Sequence, residues 1–279
     1  MLRGTNGEDI NDMRSLHLFA GAGGGLLADL ILGHQPVGAV ELDPYCCSVL
    51  RARRDDGWFP RLRVHERDIR LFDPSEYAGR VDIVHAGFPC VDVSVAGTGK
   101  GIDGARSGLV FEAIRVVDAV KPRFVLLENS PSIQTRGRNR IIAELVEKGY
   151  SWRDGILSAA AIGANHRRSR WWMLAANTDG LRELQQERRE QAQRRWVDYG
   201  IKEEISDSLR KRLERVNEKR PEERATPRGI SWWKTQPTIC GVDDGVPDRV
   251  HQIKALGNAQ VPLQSAVAFA LLSGCQYVM

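Results

Sequence analysis

The chain lacks the features that mark several classes of protein. Its five cysteines are odd in number, and none stands in a CxxC or Cys/His spacing, which argues against a disulfide scaffold and against a zinc site. It has no run of about 18 apolar residues, and residues 1–14 are polar with no apolar signal core. We therefore expect neither a membrane span nor a secretion signal, and we expect a cytoplasmic location.

The chain also has little excess of one charge sign, with 40 Lys and Arg against 36 Asp and Glu. The net charge is +4, and this small excess permits an anionic partner such as nucleic acid without requiring one. The length of 279 residues suits one large domain with a small insert, and it allows a substantial core without disulfides or metals. No repeat or oligomerisation pattern is present, so a monomer is expected.

Short apolar runs alternate with helical segments from residue 16 to about residue 175. This alternation predicts an α/β fold with a doubly wound, mostly parallel sheet and helices on both faces. Ligands bind at the carboxyl ends of the strands in such sheets. Polar residues follow the predicted strands at four such ends, namely Glu41, Asp68, Cys90 and Glu128.

A glycine-rich turn joins the first predicted strand to a helix. Glycines let the backbone approach a ligand, and Gly21, Gly23 and Gly24 lie in this turn without the GxGxxG spacing of a dinucleotide site. Glu41 follows about 20 residues later, where a carboxylate grips ribose hydroxyls. The pair favours an adenosine-type cofactor, whereas a simple tight turn and a helix cap are the alternatives.

Cys90 differs from the other cysteines because it follows Pro89 at a strand end. A thiol in such a place is open to activation as a thiolate nucleophile. A nucleophilic thiol with an acid such as Glu128 is the pairing needed to add across a ring double bond. The remaining cysteines are interpreted as small buried hydrophobes: Cys46, Cys47, Cys240 and Cys275.

Two arginines flank Ser169 in an extended segment. Residues two apart share one face of a strand, so Arg168 and Arg170 are candidates for binding a carbonyl or a phosphate. A surface charge pair is the alternative interpretation.

The amino-acid composition changes near residue 177. Residues 181–228 are dense in charge and poor in apolar residues, which fits a solvated helix pair or a partly disordered insert. Trp232 and Trp233 follow, either as a small core or as side chains that stack near a partner. Globular texture returns near residue 246, and residues 261–272 predict a buried helix.

Seven segments, taken in order, resemble the motifs of the cytosine-C5 DNA methyltransferases, in a compact phage- or prophage-type form. They are Phe19-Ala20-Gly21-x-Gly23-Gly24, Val40-Glu41-Leu42-Asp43, Asp68-Ile69, Gly87-Phe88-Pro89-Cys90, Glu128-Asn129, His166-Arg167-Arg168-Ser169-Arg170 and Leu256-Gly257-Asn258-Ala259-Gln260-Val261-Pro262. The resemblance implies a Rossmann-like catalytic fold, S-adenosylmethionine as methyl donor, and no metal.

The resemblance also implies roles for particular residues. Cys90 would attack C6 of a cytosine flipped out of the duplex, Glu128 would hydrogen-bond N3, and Arg170, with Arg168, would hold the base oxygen or a phosphate. The residues implied to bind the cofactor are Phe19, Gly21, Gly23, Gly24, Glu41, Leu42, Asp68, Ile69, Pro89, Leu109, Asn258 and Val261.

The same resemblance divides the chain into a catalytic domain over 1–176, a small target-recognition region over 177–245, and a segment over 246–279 that returns to the catalytic domain. It implies double-stranded DNA as partner and a bacterial or phage origin, and it leaves open whether a cognate restriction endonuclease exists. Three departures from the motifs stand at Val91, Ser130 and His166. Two alternatives are a tRNA cytosine-C5 methyltransferase and a DNA-binding pseudoenzyme, the latter motivated by Val91.

Overall fold

The computed structural model describes residues 12–89, 108–180 and 249–274. Within them lies a seven-stranded sheet in the order β3-β2-β1-β4-β5-β7-β6. The first five strands run parallel, and β7 is antiparallel to both β5 and β6. This confirms the predicted mostly parallel sheet. The strands are β1 (Arg14–Leu18), β2 (Gln35–Glu41), β3 (Arg63–Glu66), β4 (Ile83–Gly87), β5 (Phe124–Asn129), β6 (Ser151–Ser158) and β7 (Ser169–Ala176).

Helices cover both faces of the sheet. One apolar layer joins α1 and α7 to it, and a second joins α3 and α5 to the opposite face. No helix among the described residues is long and apolar enough to cross a membrane. The helices are α1 (Gly24–Leu32), α2 (Pro44–Asp55), α3 (Leu109–Val120), α4 (Ile133–Arg136), α5 (Arg138–Glu147), α6 (Arg249–Asn258) and α7 (Pro262–Ser273).

Local sequence explains several of these elements. All six residues of β5 are buried, and it reads as an almost continuous apolar run because helices cover both of its faces. The helix α2 begins at Pro44 because proline suits the first helical position and the Asp43 carboxylate accepts from the Tyr45 amide at 3.0 Å.

The last helix, α7, returns to the sheet beside α1. It buries Ala266 and Phe269, as predicted for residues 261–272, and contacts α1, β6 and β7. The edge strand β6 was not predicted, because its half-exposed residues lack a clear apolar pattern. The proposed target-recognition region lies almost wholly outside the described residues, so the predicted domain division stays a prediction.

Candidate active site

Four parallel strands end at one edge of the sheet and bring separate motifs together. Leu18 pairs with Val40 on one side and with Ala86 on the other, so the ends of β1, β2 and β4 are level. Gly87 pairs with Glu128, which adds the end of β5. The glycine turn, Glu41, the segment that leads to Cys90, and Glu128 therefore share this carboxyl edge.

The glycine turn needs a left-handed backbone at three positions. Phe19, Gly21 and Gly23 have φ values of 56°, 55° and 96°. Glycine adopts this conformation at little cost, whereas Phe19 is an uncommon occupant for such a position. Gly23 is the N-cap residue directly before α1. The chain thus reverses sharply between β1 and α1, and the Ala20 amide donates to the Val40 carbonyl at the end of β2 at 3.2 Å.

Glu41 ties this turn to β2. Its carboxylate accepts hydrogen bonds from the amides of Gly21 at 2.7 Å, Leu42 at 2.9 Å and Asp43 at 2.8 Å. A carboxylate offers about four acceptor positions, so one remains for a hydroxyl donor. Leu42 beside it is 64% exposed, an unusual apolar surface next to a hydrogen-bonding carboxylate. A ribose and an apolar ring fit these two neighbours.

The other residues predicted to bind a cofactor are in mixed surroundings. Ile69 is buried, while Phe19, Pro89 and Leu109 are half-buried. The Asp68 carboxylate accepts from the Arg70 amide at 2.9 Å and from its Nε at 3.0 Å. These hydrogen bonds lower the pKa of Asp68 to about 2. Asp68 is therefore an ionised partner of Arg70 in this conformation.

Glu128 is the buried acid of the site. Arg170 Nε lies 2.8 Å from its Oε1, and Gln260 Nε2 lies 3.5 Å from its Oε2. Burial raises the pKa of Glu128, and the charges of Arg170 and Arg168 with the Gln260 hydrogen bond only partly offset this. Burial thus makes this carboxyl easier to protonate than an exposed glutamate, while Arg170 and Gln260 each place an N–H donor at one of its oxygens.

Arg168 and Arg170 have different partners. Arg170 pairs with Glu128 through its Nε, and the catalytic role predicted for it stays a prediction. The two terminal nitrogens of Arg168 instead donate to the carbonyl oxygens of Gly257 at 3.1 Å and Ala259 at 2.6 Å. Arg168 therefore holds the last of the seven motifs, residues 256–262, in place. The catalytic role predicted for Arg168 stays a prediction.

Gln260 lies in the last motif, and no role was predicted for it from the sequence. A Cβ added at Gly24 would lie 2.3 Å from the Gln260 carbonyl oxygen. A Cβ at Gly25 would lie 2.8 Å from its side-chain oxygen, and one at Gly87 would lie 2.5 Å from its side-chain nitrogen. Gly24 is thus required for close packing of the last motif, and Gln260 fills the space between the glycine turn and Glu128.

Asn129 positions the segment before the predicted nucleophile. Its side-chain amide donates to the Phe88 carbonyl at 3.0 Å, and its oxygen accepts from the Ser130 amide at 2.7 Å. The end of β4 is thereby held against the end of β5. Ser130 and Ser132 share a hydrogen bond of 2.7 Å, which gives the departure at Ser130 a local structural role.

The remaining predicted residues have simple placements. Asn258 at the end of α6 is exposed, and Val261 is half-buried where α7 begins. His166 is exposed. Cys90 and Val91 lie outside the described residues.

Comparisons with known proteins show the family to which the chain is similar. The family model for the C-5 cytosine-specific DNA methylases matches residues 13–255. The type II methyltransferase M.CviJI of Paramecium bursaria Chlorella virus IL3A is 32% identical over 60% of this chain and 44% of its own length. M.PspPI of a Psychrobacter strain is 37% identical over 48% of this chain and 32% of its own.

A third relative is the type II methyltransferase M.NgoMIV of Neisseria gonorrhoeae, which is 34% identical over 59% of this chain and 52% of its own length. The chain thus spans about a third to a half of the length of these curated relatives.

Proposed function

The chain belongs to the C-5 cytosine-specific DNA methylase family, and from that premise we propose that it transfers a methyl group from S-adenosylmethionine to C5 of a cytosine in a short duplex DNA site. The observation that carries this proposal is the Glu128 carboxyl, buried at the carboxyl edge and held by Arg170 at 2.8 Å. A protonated acid beside a guanidinium matches the N3 and O2 atoms of a cytosine ring.

Glu128 acts on the ring nitrogen. Because burial raises its pKa, the protonated carboxyl donates to N3 and stabilises the negative charge that develops on the ring. Arg170 keeps the carboxyl oriented and directs its remaining N–H groups toward the base oxygen. Gln260 holds the second carboxyl oxygen from the opposite side.

Cys90 acts as the nucleophile in this proposal, on the strength of its motif. Its thiolate attacks C6, and the electron pair of the C5–C6 double bond becomes available at C5. The C5 atom takes the methyl group, then loses its proton to a base, and the re-formed double bond expels the Cys90 thiolate. Asn129 contributes by fixing Phe88, two residues before the thiol.

S-adenosylmethionine supplies an electrophilic methyl group on a sulfonium. When it is bound, Glu41 would hold the ribose with its remaining acceptor position, and Leu42 and Ile69 would pack against the adenine. The glycine turn would hold the methionine part, and its Gly21 amide is already oriented by Glu41 at 2.7 Å. No metal takes part in the reaction.

The partners belong to the same proposal. Residues 177–245 contact the DNA target, because their arginines and lysines can neutralise phosphates. The protein acts as a cytoplasmic monomer in this proposal. The base must leave the duplex to reach Glu128, since the carboxyl lies inside the protein.

The test is transfer of labelled methyl from S-adenosylmethionine to unmethylated plasmid DNA, with the wild type beside Cys90→Ala. We expect incorporation by the wild type alone, and bisulfite sequencing then locates the modified cytosines. Unfractionated tRNA serves as the second substrate. Labelled tRNA with unlabelled DNA would support the RNA methyltransferase alternative, and no transfer from a protein that shifts DNA would support the pseudoenzyme.

A further inference from the structure

A group of buried polar side chains lies between the sheet and the helices, on the face that α1 and α7 cover. His17 projects from β1, His85 from β4 and Asp29 from α1, and each is only 2% exposed. The register pairs His17 with His85 on adjacent strands. We call these three residues the buried cluster. The proposed methyl transfer uses none of them.

Asp29 lies at the centre of the buried cluster. His17 Nε2 is 2.6 Å from its Oδ2, and the Ser15 hydroxyl donates to the same oxygen. His34 Nδ1 lies 3.4 Å from its Oδ1, an ion-pair distance without hydrogen-bond geometry. Burial raises the pKa of Asp29, but the charge and hydrogen bonds of the histidines outweigh this and hold the pKa well below its usual range. The carboxylate is ionised.

His85 completes the buried cluster without a partner. Neither of its ring nitrogens has a hydrogen bond among the described residues, although its ring centroid is 4.8 Å from that of His17. Leaving a buried polar group unpaired costs about 1–3 kcal/mol. Burial lowers the pKa of His85 to about 3, so its imidazole is neutral. A neutral buried imidazole with a free nitrogen is a metal donor.

We propose that the buried cluster binds one zinc ion through His17, Asp29 and His85, with His34 as the fourth ligand. One donor atom from each of the first three residues lies within 4.8 Å of the others. Zinc bonds of about 2.0–2.1 Å to nitrogen and oxygen place tetrahedral ligands about 3.4 Å apart. Small side-chain rotations bring the donors to that spacing.

The chemistry of the four donors fits zinc in a closed site. Three imidazoles and one carboxylate fill a tetrahedral shell and leave no open position for catalysis, so the ion is structural. The ion would join β1, β4 and α1 directly below the glycine turn, because a Cβ at Gly25 would lie 3.0 Å from both His17 Nδ1 and His85 Cε1.

The expectation of no zinc site came from ligand spacing along the chain. Spacing patterns detect sites whose ligands are close in sequence, whereas these ligands come from positions 17, 29, 34 and 85. The sheet register brings His17 and His85 together, and the packing of α1 adds Asp29. Only the tertiary structure brings the donors of His17, Asp29 and His85 within 4.8 Å of one another and His34 beside Asp29.

The experiment measures zinc by mass spectrometry in tag-free protein purified without chelator. The Cys90→Ala background removes the proposed nucleophile thiol as a competing ligand. We expect about one zinc per chain, lost in His85→Ala and in Asp29→Asn. His65→Ala is the matched control, because His65 hydrogen-bonds Tyr77 at 2.7 Å on β3 and should leave the zinc content unchanged.

A second measurement does not depend on folding of the variants. Removal of zinc from the Cys90→Ala protein should lower its Tm by about 5 °C or more, and added Zn²⁺ should restore it. Co²⁺ should give the visible absorption of a tetrahedral nitrogen and oxygen site. Protein that is folded without zinc, with a Tm and spectrum unaffected by either ion, would overturn the proposal, as would zinc retained by His85→Ala and Asp29→Asn.

Discussion

The carboxyl edge and the buried cluster each bury an ionisable carboxyl group, yet the pKa of that group shifts in opposite directions in the two regions. At the edge, burial raises the pKa of Glu128, and Arg170 and Gln260 compensate only in part. In the buried cluster, the histidines outweigh burial and keep Asp29 ionised. A carboxyl with a raised pKa, such as Glu128, suits proton donation, whereas a carboxylate that stays ionised, such as Asp29, suits a role in stability. Substitutions in the two regions should therefore affect different properties, activity in one and stability in the other.

The largest effect is expected in the buried cluster. Asp29→Ala leaves His17 and Ser15 without their partner and should lower the free energy of unfolding by about 3–5 kcal/mol. Urea unfolding followed by tryptophan fluorescence measures it. Asp118→Ala, at an exposed ion pair with Lys121, is the control and should cost about 0–1 kcal/mol. A fall in kcat per folded molecule as large as that of a Glu128 variant would break the comparison.

Next comes Glu128→Ala at the carboxyl edge. It should reduce kcat about 10²–10³-fold, because the developing charge on the ring loses its hydrogen-bond donor. Its Tm should stay the same or rise, since a buried carboxyl is removed. Glu128→Gln should lose less activity, because the amide still donates. Equal losses in the two variants would argue that the proton of Glu128, and not a hydrogen bond, is what matters.

A smaller effect is expected where the edge meets the last motif. Arg168→Met removes the donors to Gly257 and Ala259 and should raise the KM for S-adenosylmethionine about tenfold, with kcat less affected, because a hydrogen bond from a charged group contributes about 1.5–3 kcal/mol. Steady-state kinetics measures both. Arg167→Met changes an exposed neighbour and should leave KM as it is. A loss confined to kcat would instead assign Arg168 to the reacting base.

The smallest effect is a shift in pH dependence. Activity should fall at the pH where Glu128 loses its proton, which burial places above the usual range of a glutamate. Arg170 lowers the pKa of Glu128, so Arg170→Gln should move the falling limb of kcat to higher pH. Gln260→Leu should move it in the same direction by less. Profiles of kcat against pH test this, and a shift to lower pH would contradict the assignment of Glu128 as the acid.

The positions of some site residues could be predicted from the sequence, and the roles of others could not. The strand-end positions of Glu41 and Glu128 were predicted because polar residues after apolar runs mark strand ends. The roles of Gln260 and Asn129 were not, since each acts through a contact with a distant segment. The pairing of Arg168 with Gly257 and Ala259 spans about 90 residues, and no local pattern signals it.

The sequence by itself determined the alternation of strands and helices, the glycine turn and the order of the motifs. These follow from local preferences, in which burial sets the spacing of apolar residues and the turn demands glycine. The tertiary structure alone decided which polar groups meet. Strand register and helix packing place Gln260 against Glu128, and Asp29 against His17 beside His85. Such meetings depend on long-range geometry, because side chains far apart in sequence come into contact only when the sheet is assembled.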